Sequence, residues 1–233
     1  MKVALITGGS RGIGLAMAKS FASAGYAVII TGRDDARLKQ AVGAVKGSGG
    51  SVEGLVCDVA DPPSVQNLFA AIRQRHSSID VLVNNAGVAH ELLTVDKLPF
   101  ETWKQVIDTN LTGTFLMTQA ALLLMKSGST IVNNLSVAAM QPFAGMSAYN
   151  ASKFGALGFT KALREEVRKQ GIRVLALIPG ATNTEIWQQF WPDAPRAKMI
   201  SPETVAQAVL HAVSAPPEAT IEEICIGPTA GVL

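Results

Sequence analysis

The chain has 233 residues, 48% hydrophobic and 16% charged, with a formal net charge of +2. That is enough for one buried core, and a near-neutral chain without a basic run offers no footprint for a nucleic-acid partner. Its longest apolar run, AALLLM at 120–125, is far shorter than the roughly 20 residues that cross a bilayer, so a soluble protein without a membrane partner is expected.

Short β-rich runs alternate with stretches of helical period along the whole chain. KVALIT (2–7) opens the series, and a helix over 13–25 follows, stopping on Gly25. AVIIT (27–31), a helix over 35–46, SVEGLVC (51–57), a helix over 64–75 and IDVLVNN (79–85) come next. A long helix is predicted over 100–126, then STIVNNL (129–135), a helix over 149–169 and RVLALI (173–178). The stretch 182–201, with its prolines and large aromatics, breaks the rhythm and reads as an excursion over the sheet edge. A helix over 202–214 and EEICIG (222–227) close the pattern. The alternation predicts an α/β fold, a doubly wound parallel sheet of seven strands with helices on both faces, as one domain over 1–233.

Cys57 and Cys225 form no CxxC pattern and His76, His90 and His211 are scattered, so no metal site is expected. A strand begins at Lys2 with no charged n-region and apolar h-region before it, which sets the expectation of a cytoplasmic protein.

Between the first strand and first helix lie Gly8, Gly12 and Gly14. Their spacing differs from GxGxxG but falls where that fingerprint falls. Gly8 can make the tight turn, Gly12 admits a pyrophosphate to the backbone, and Gly14 lets the helix pack close, with the anion on the helix N-terminus. The bland alternative is a plain strand-to-helix turn. The second strand ends ITGRDD, with Gly32 where an acid binding the ribose of NAD would stand, followed by Arg33. Arg33 offers a planar fork to a 2′-phosphate, and Arg11 can approach the same group, unless both are simply solvated. Asp34 and Asp35 read as caps of the next helix. NADP(H) is therefore expected in preference to NAD(H).

Tyr149 and Lys153, four apart on a predicted helix, share one face. A tyrosine is a poor base at its ordinary pKa of about 10, and the nearby ammonium is expected to lower it. Ser136 follows a strand at the edge where ligands of α/β sheets collect, and its hydroxyl can hold a substrate oxygen. Asn110 falls within a predicted helix, where an amide bonding its own backbone is the alternative to a functional role.

These residues resemble the short-chain dehydrogenase/reductase family, in its compact single-domain form. TGGSRGIG (7–14) is similar to TGxxxGIG, CDV (57–59) to the segment after strand three, and NNAG (84–87) to the strand-four motif. Asn110 in DTNLTG, Ser136 in NNLSVAA, the YxxxK pair Tyr149 and Lys153, and PGATNT (179–184) complete the order. The resemblance implies a Rossmann-type sheet and an NAD(P)-dependent oxidoreductase acting on a carbonyl or alcohol. It implies that Gly8, Ser10, Arg11, Gly12, Ile13 and Gly14 bind pyrophosphate and ribose, that Asp58 and Val59 hold the adenine, and that Asn85, Ala86 and Gly87 line the cofactor. It further implies that Thr184 contacts the carboxamide near Pro179 and Gly180, with Thr182 also among the cofactor-binding residues. Tyr149 and Lys153 then serve catalysis and cofactor alike, with Asn110 relaying to Lys153 through water. Many acyl-carrier-protein reductases of the family carry DGG after their last strand, whereas this chain reads CIGPTAGVL.

Met140, Phe143, Met146, Ile186, Trp187, Phe190 and Trp191 are candidates for an apolar, movable substrate wall, or for packing on neighbouring helices or a second subunit. The expected substrate is a small hydrophobic ketone or alcohol. The apolar helices at 100–126 and 149–169 suggest a homodimer or homotetramer. A protein that binds NADP(H) as a sensor or scaffold without turning it over is the alternative, and is expected to lack one of serine, tyrosine or lysine.

Overall fold

Valine, isoleucine and leucine dominate seven short strands whose side chains leave the backbone in alternation, so a strand covered on both faces reads as an unbroken apolar run. In the computed structural model, which describes residues 1–47 and 51–231, these are β1 (Val3–Ile6), β2 (Ala27–Gly32), β3 (Ser51–Val56), β4 (Val81–Asn84), β5 (Thr130–Asn134), β6 (Arg173–Pro179) and β7 (Glu223–Ile226). They pair in the order β3-β2-β1-β4-β5-β6-β7, every neighbour parallel. Within β1, Ala4 and Ile6 join one core with Met17, Phe21, Val205 and Val209. Val3 and Leu5 join the other with Phe69, Ile72 and Met117.

The helices are α1 (Gly12–Ser23), α2 (Asp35–Lys46), α3 (Pro62–Arg75), α4 (Phe100–Ile107), α5 (Gly113–Leu122), α6 (Ser147–Val167) and α7 (Pro202–Val213). Side-chain caps from Asp34, Asp61 and Ser201 start α2, α3 and α7. Asp35, expected to share the capping of α2, lies in its first turn and pairs with Lys39 at 2.6 Å. No side chain caps α1, whose N-cap is Arg11, so its first amides remain available to a ligand.

The single helix predicted over 100–126 is two helices joined by a π-helical turn, Asp108–Thr112, and it ends at Leu122. Such a turn marks a place where a side chain is re-aimed at some cost in backbone regularity. It carries Asn110.

The excursion after β6 contains two short 3-10 turns, Glu185–Gln189 and Arg196–Lys198, and a bridge between Thr182 and Ile200 closes its base. Inside the sheet, Asn84 Nδ2 donates to Thr118 Oγ1 (2.9 Å) and to Asn133 Oδ1 (2.8 Å), and Asn133 Nδ2 donates to Thr160 Oγ1 (2.9 Å). This buried ladder ties α5 and α6 to the middle strands immediately below the strand ends. Among the described residues, no helix is long and apolar enough to cross a membrane.

Candidate active site

Strand order reverses between β1 and β4, and a cleft of about 920 Å³ opens at the C-terminal strand ends around that point. Gly8, with φ +61, makes the turn out of β1, and a Cβ there would lie 2.9 Å from Ala86 Cα. Gly14 is packed harder: its Cβ would stand 2.4 Å from both the Gly8 carbonyl oxygen and Asn85 Nδ2. Gly12 has φ +53 and faces Thr184.

Of the catalytic and cofactor-binding candidates, the cleft is lined by Gly8, Ser10, Arg11, Gly12, Ile13, Arg33, Asp58, Val59, Asn85, Ala86, Gly87, Ser136, Tyr149, Lys153, Pro179, Gly180, Thr182 and Thr184, and the seven apolar candidates from Met140 to Trp191 line it as well. Gly14 and Asn110 are not on its wall. Gly14 is buried under the glycine turn, packed against the Gly8 carbonyl and the Asn85 amide. Asn110 stands behind Gly87, where Oδ1 accepts from Val88 N (2.8 Å) and Nδ2 donates to Val88 O (2.9 Å) and Ser152 Oγ (3.0 Å). Its amide therefore fixes the loop after β4 against α6, and does not bond its own backbone.

Asn85 was expected as a lining residue, and its side chain is committed to the protein. Nδ2 donates to the carbonyls of Thr7 (2.9 Å) and Gly8 (3.1 Å), while Oδ1 accepts from Asn134 Nδ2 (2.8 Å). Thr7 completes the tie by accepting from the backbone of Asn85 and Ala86.

On α6, Lys153 sits one turn beyond Tyr149, its Nζ 5.6 Å from the ring centre and 3.0 Å from the Asn134 carbonyl oxygen. Burial lowers the Lys153 pKa from 10.5 to about 8. Burial also raises the Tyr149 hydroxyl above its ordinary value, and its hydrogen bond with Ser136 opposes this. The expectation of a lowered tyrosine is thus overturned for the protein alone, because desolvation of the phenolate outweighs the hydrogen bond with Ser136.

At the opposite end, Arg33 faces Asp58 at 3.9 Å, Arg37 faces Asp34 at 3.4 Å, and Arg11 pairs with Glu185 at 2.9 Å. The cleft suits a dinucleotide phosphate on two grounds: the glycine turn meets the uncapped start of α1, and three guanidiniums gather beside it. Thr31 Oγ1 and Asn134 Oδ1, both from cleft-lining residues, are buried without a partner among the described residues. Among those residues, no group of three or more His, Cys, Asp or Glu could hold a metal ion.

Sequence reasoning missed Asn134, Asn150, Arg37 and Glu185. Asn150 Nδ2 donates to the carbonyls of Ala138 (2.9 Å) and Gln141 (3.0 Å), and Oδ1 accepts from Phe143 N (3.0 Å), so it holds the segment between Ser136 and Tyr149. The i, i+4 spacing of Arg33 and Arg37 at the start of α2 was a usable signal. Glu185 gave none, since it meets Arg11 across 174 positions of chain.

A doubly wound parallel sheet with a glycine turn and cleft at its switch point defines the Rossmann-type nucleotide-binding class. Within that class the chain belongs to the short-chain dehydrogenase/reductase family, and it is an oxidoreductase of that family: the family model described as short chain dehydrogenase matches residues 2–195. A Streptomyces violaceoruber protein named for ketoacyl reduction in the granaticin polyketide synthase is 42% identical over 186 residues, covering 78% of this chain and 68% of that protein. The 3-oxoacyl-[acyl-carrier-protein] reductase of Synechocystis is 36% identical over 228 residues, covering 94% and 92%. An alcohol dehydrogenase from the archaeon Thermococcus sibiricus, complexed with 5-hydroxy-NADP, superposes with a TM-score of 0.91 at 28% identity, covering 99% and 98% of the two chains.

Proposed function

We propose that the protein, acting as a single domain, uses NADP(H) to interconvert a carbonyl and an alcohol on a small, uncharged, apolar substrate. The observation that carries this is the gathering of Ser136, Tyr149 and Lys153 in the same cleft whose far end presents Arg11, Arg33 and Arg37. When bound, the nicotinamide supplies or accepts the hydride at the substrate carbon.

The chain's own residues handle the proton. Ser136 holds the substrate oxygen, and Tyr149 gives that oxygen its proton in reduction and takes it back in oxidation. The Lys153 ammonium, fixed by the Asn134 carbonyl, stands by the ring where phenolate charge develops. Asn110 keeps the loop after β4 in register with α6. Gly8, Gly12 and the start of α1 receive the pyrophosphate, and Arg33 takes the 2′-phosphate, with Gly32 leaving room for it.

Leu92, Met140, Phe143, Met146, Trp187 and Phe190 give the substrate end an apolar, aromatic wall. Trp187 packs on Phe190 and Trp191 at 4.9 and 6.1 Å between ring centres. The family relatives named for ketoacyl and oxoacyl reduction support a ketone as the group reduced. A homodimer through α4, α5 and α6 fits their exposed Phe100, Trp103, Phe115 and Phe154. A cytoplasmic setting fits two cysteines that form no disulfide.

The test is loss of NADPH absorbance over a panel of apolar ketones, repeated with NADH and with Arg33→Glu. NADPH should give the larger kcat/KM, and the charge reversal should abolish that advantage. A wild-type preference for NADH that the reversal leaves unaltered rules the cofactor assignment out.

A further inference from the structure

At the arginine end of the cleft, three carboxylates already answer three guanidiniums. Asp34 is held by its own task, accepting from Arg37 N at the start of α2 (3.1 Å). Asp58 is held by the bond its Oδ1 accepts from Ala60 N (3.0 Å). Glu185 is different. It comes from the excursion after β6, and its carboxylate meets only arginines among the described residues: Arg11 at 2.9 Å and Arg37 at 4.0 Å. Of the three it has the least to lose by leaving.

The same 3-10 turn carries more of the cleft. Gln189 Oε1 accepts from Ala89 N (2.9 Å), and Trp187 Nε1 donates to Thr182 O (2.8 Å). Glu185 thus fastens one end of a segment whose other side chains form the substrate wall. It also lines a second cavity of about 630 Å³ behind the glycine turn, whose lining includes Lys19 and Arg196. Glu203 lines the same cavity, so a carboxylate released from Arg11 and Arg37 meets two cations and one other acid on that side.

We propose that Glu185 is a specificity-determining residue that senses the 2′-phosphate of the cofactor. Its carboxylate holds Arg11 and Arg37 until a phosphate dianion displaces it, and the displacement shifts the turn that bears Trp187. This rests on the NADP(H) reading above. A cofactor lacking the 2′-phosphate leaves the Glu185 pairs in place, so the substrate wall registers which dinucleotide is bound.

The experiment uses adenosine 2′,5′-bisphosphate and 5′-AMP, which differ only in the 2′-phosphate and reach the arginine end without a nicotinamide, on the Trp103→Phe protein, so that emission reports only Trp187 and Trp191. The bisphosphate should bind more tightly than AMP and alone change the emission. Adding Glu185→Gln should tighten the bisphosphate about three- to tenfold, keep AMP within about twofold, and remove the emission change, because two exposed ion pairs no longer compete. Unaltered bisphosphate affinity in Glu185→Gln, or an emission change that persists in it, overturns the inference while leaving the cofactor reading intact. Equal binding of AMP and bisphosphate before Glu185 is altered defeats the cofactor reading itself.

Discussion

Lys153 approaches Tyr149 from one helical turn away, with its ammonium 5.6 Å from the ring centre and anchored to the Asn134 carbonyl at 3.0 Å. The lysine is held by the end of β5, which also leads into Ser136, so the strand and α6 position the three groups jointly.

Tyr149→Phe removes the hydroxyl that, in the proposed reaction, gives its proton to the substrate oxygen. The expected outcome is a fall in kcat of about 10²–10⁴-fold, the range for a positioned general acid, with NADPH affinity nearly unchanged. Steady-state rates together with NADPH titration check it, and wild-type turnover would refute the assignment.

Lys153 carries a cost in stability. Between pH 8 and 10.5 the unfolded chain keeps a proton that the folded chain has released, so stability rises with pH across that window. Below about pH 8 both states are protonated and the folded protein bears the full penalty of the buried ammonium, on the order of 3 kcal/mol. Lys153→Met removes that penalty and loses a hydrogen bond worth about 1 kcal/mol. The variant should therefore melt above wild type at pH 7, the gap closing as pH rises through the window, while activity collapses. A lower Tm at pH 7 contradicts the account.

Gly14→Ala puts a methyl group against the Gly8 carbonyl oxygen and Asn85 Nδ2 at 2.4 Å, where backbone must move. The expected loss is about 1–3 kcal/mol, or about 2–4 °C in Tm for each kcal/mol in a chain of this size. Weakened cofactor binding should accompany it, since the turn that shifts is the one proposed to receive the pyrophosphate. Unchanged melting and affinity would show that α1 can slide away freely.

Phe115 is exposed on α5 with its ring 6.1 Å from that of Phe159 on α6. Phe115→Asp should reduce the mass seen by light scattering to that of one chain, with the far-UV spectrum unaltered. A dimer that survives this change is built on another face.

The strands were legible because each is a β-rich run bounded by turn residues, and the observed ladders fall inside or within one residue of all seven. The shared cleft of Ser136, Tyr149 and Lys153 was legible too, because all three lie within one strand-loop-helix unit. What could not be read were relationships made by distant parts of the chain. The π turn at Asn110 depends on Val88 and Ser152, and nothing in DTNLTG announces a break in helical period. The committed amide of Asn85 depends on Thr7, 78 positions away. The raised tyrosine follows from burial, which a spacing of four cannot convey.

The bridge between Thr182 and Ile200 joins the two ends of the excursion at the sheet edge. A segment closed at its base can change length or composition without pulling on the strands that hold Ser136 or on α6. Grafting the corresponding stretch from a relative with a different substrate should therefore transfer selectivity while the proton chemistry stays in place. The fold thus offers protein engineers an exchangeable cassette, with Glu185 as the residue that a graft must match to the arginines it meets.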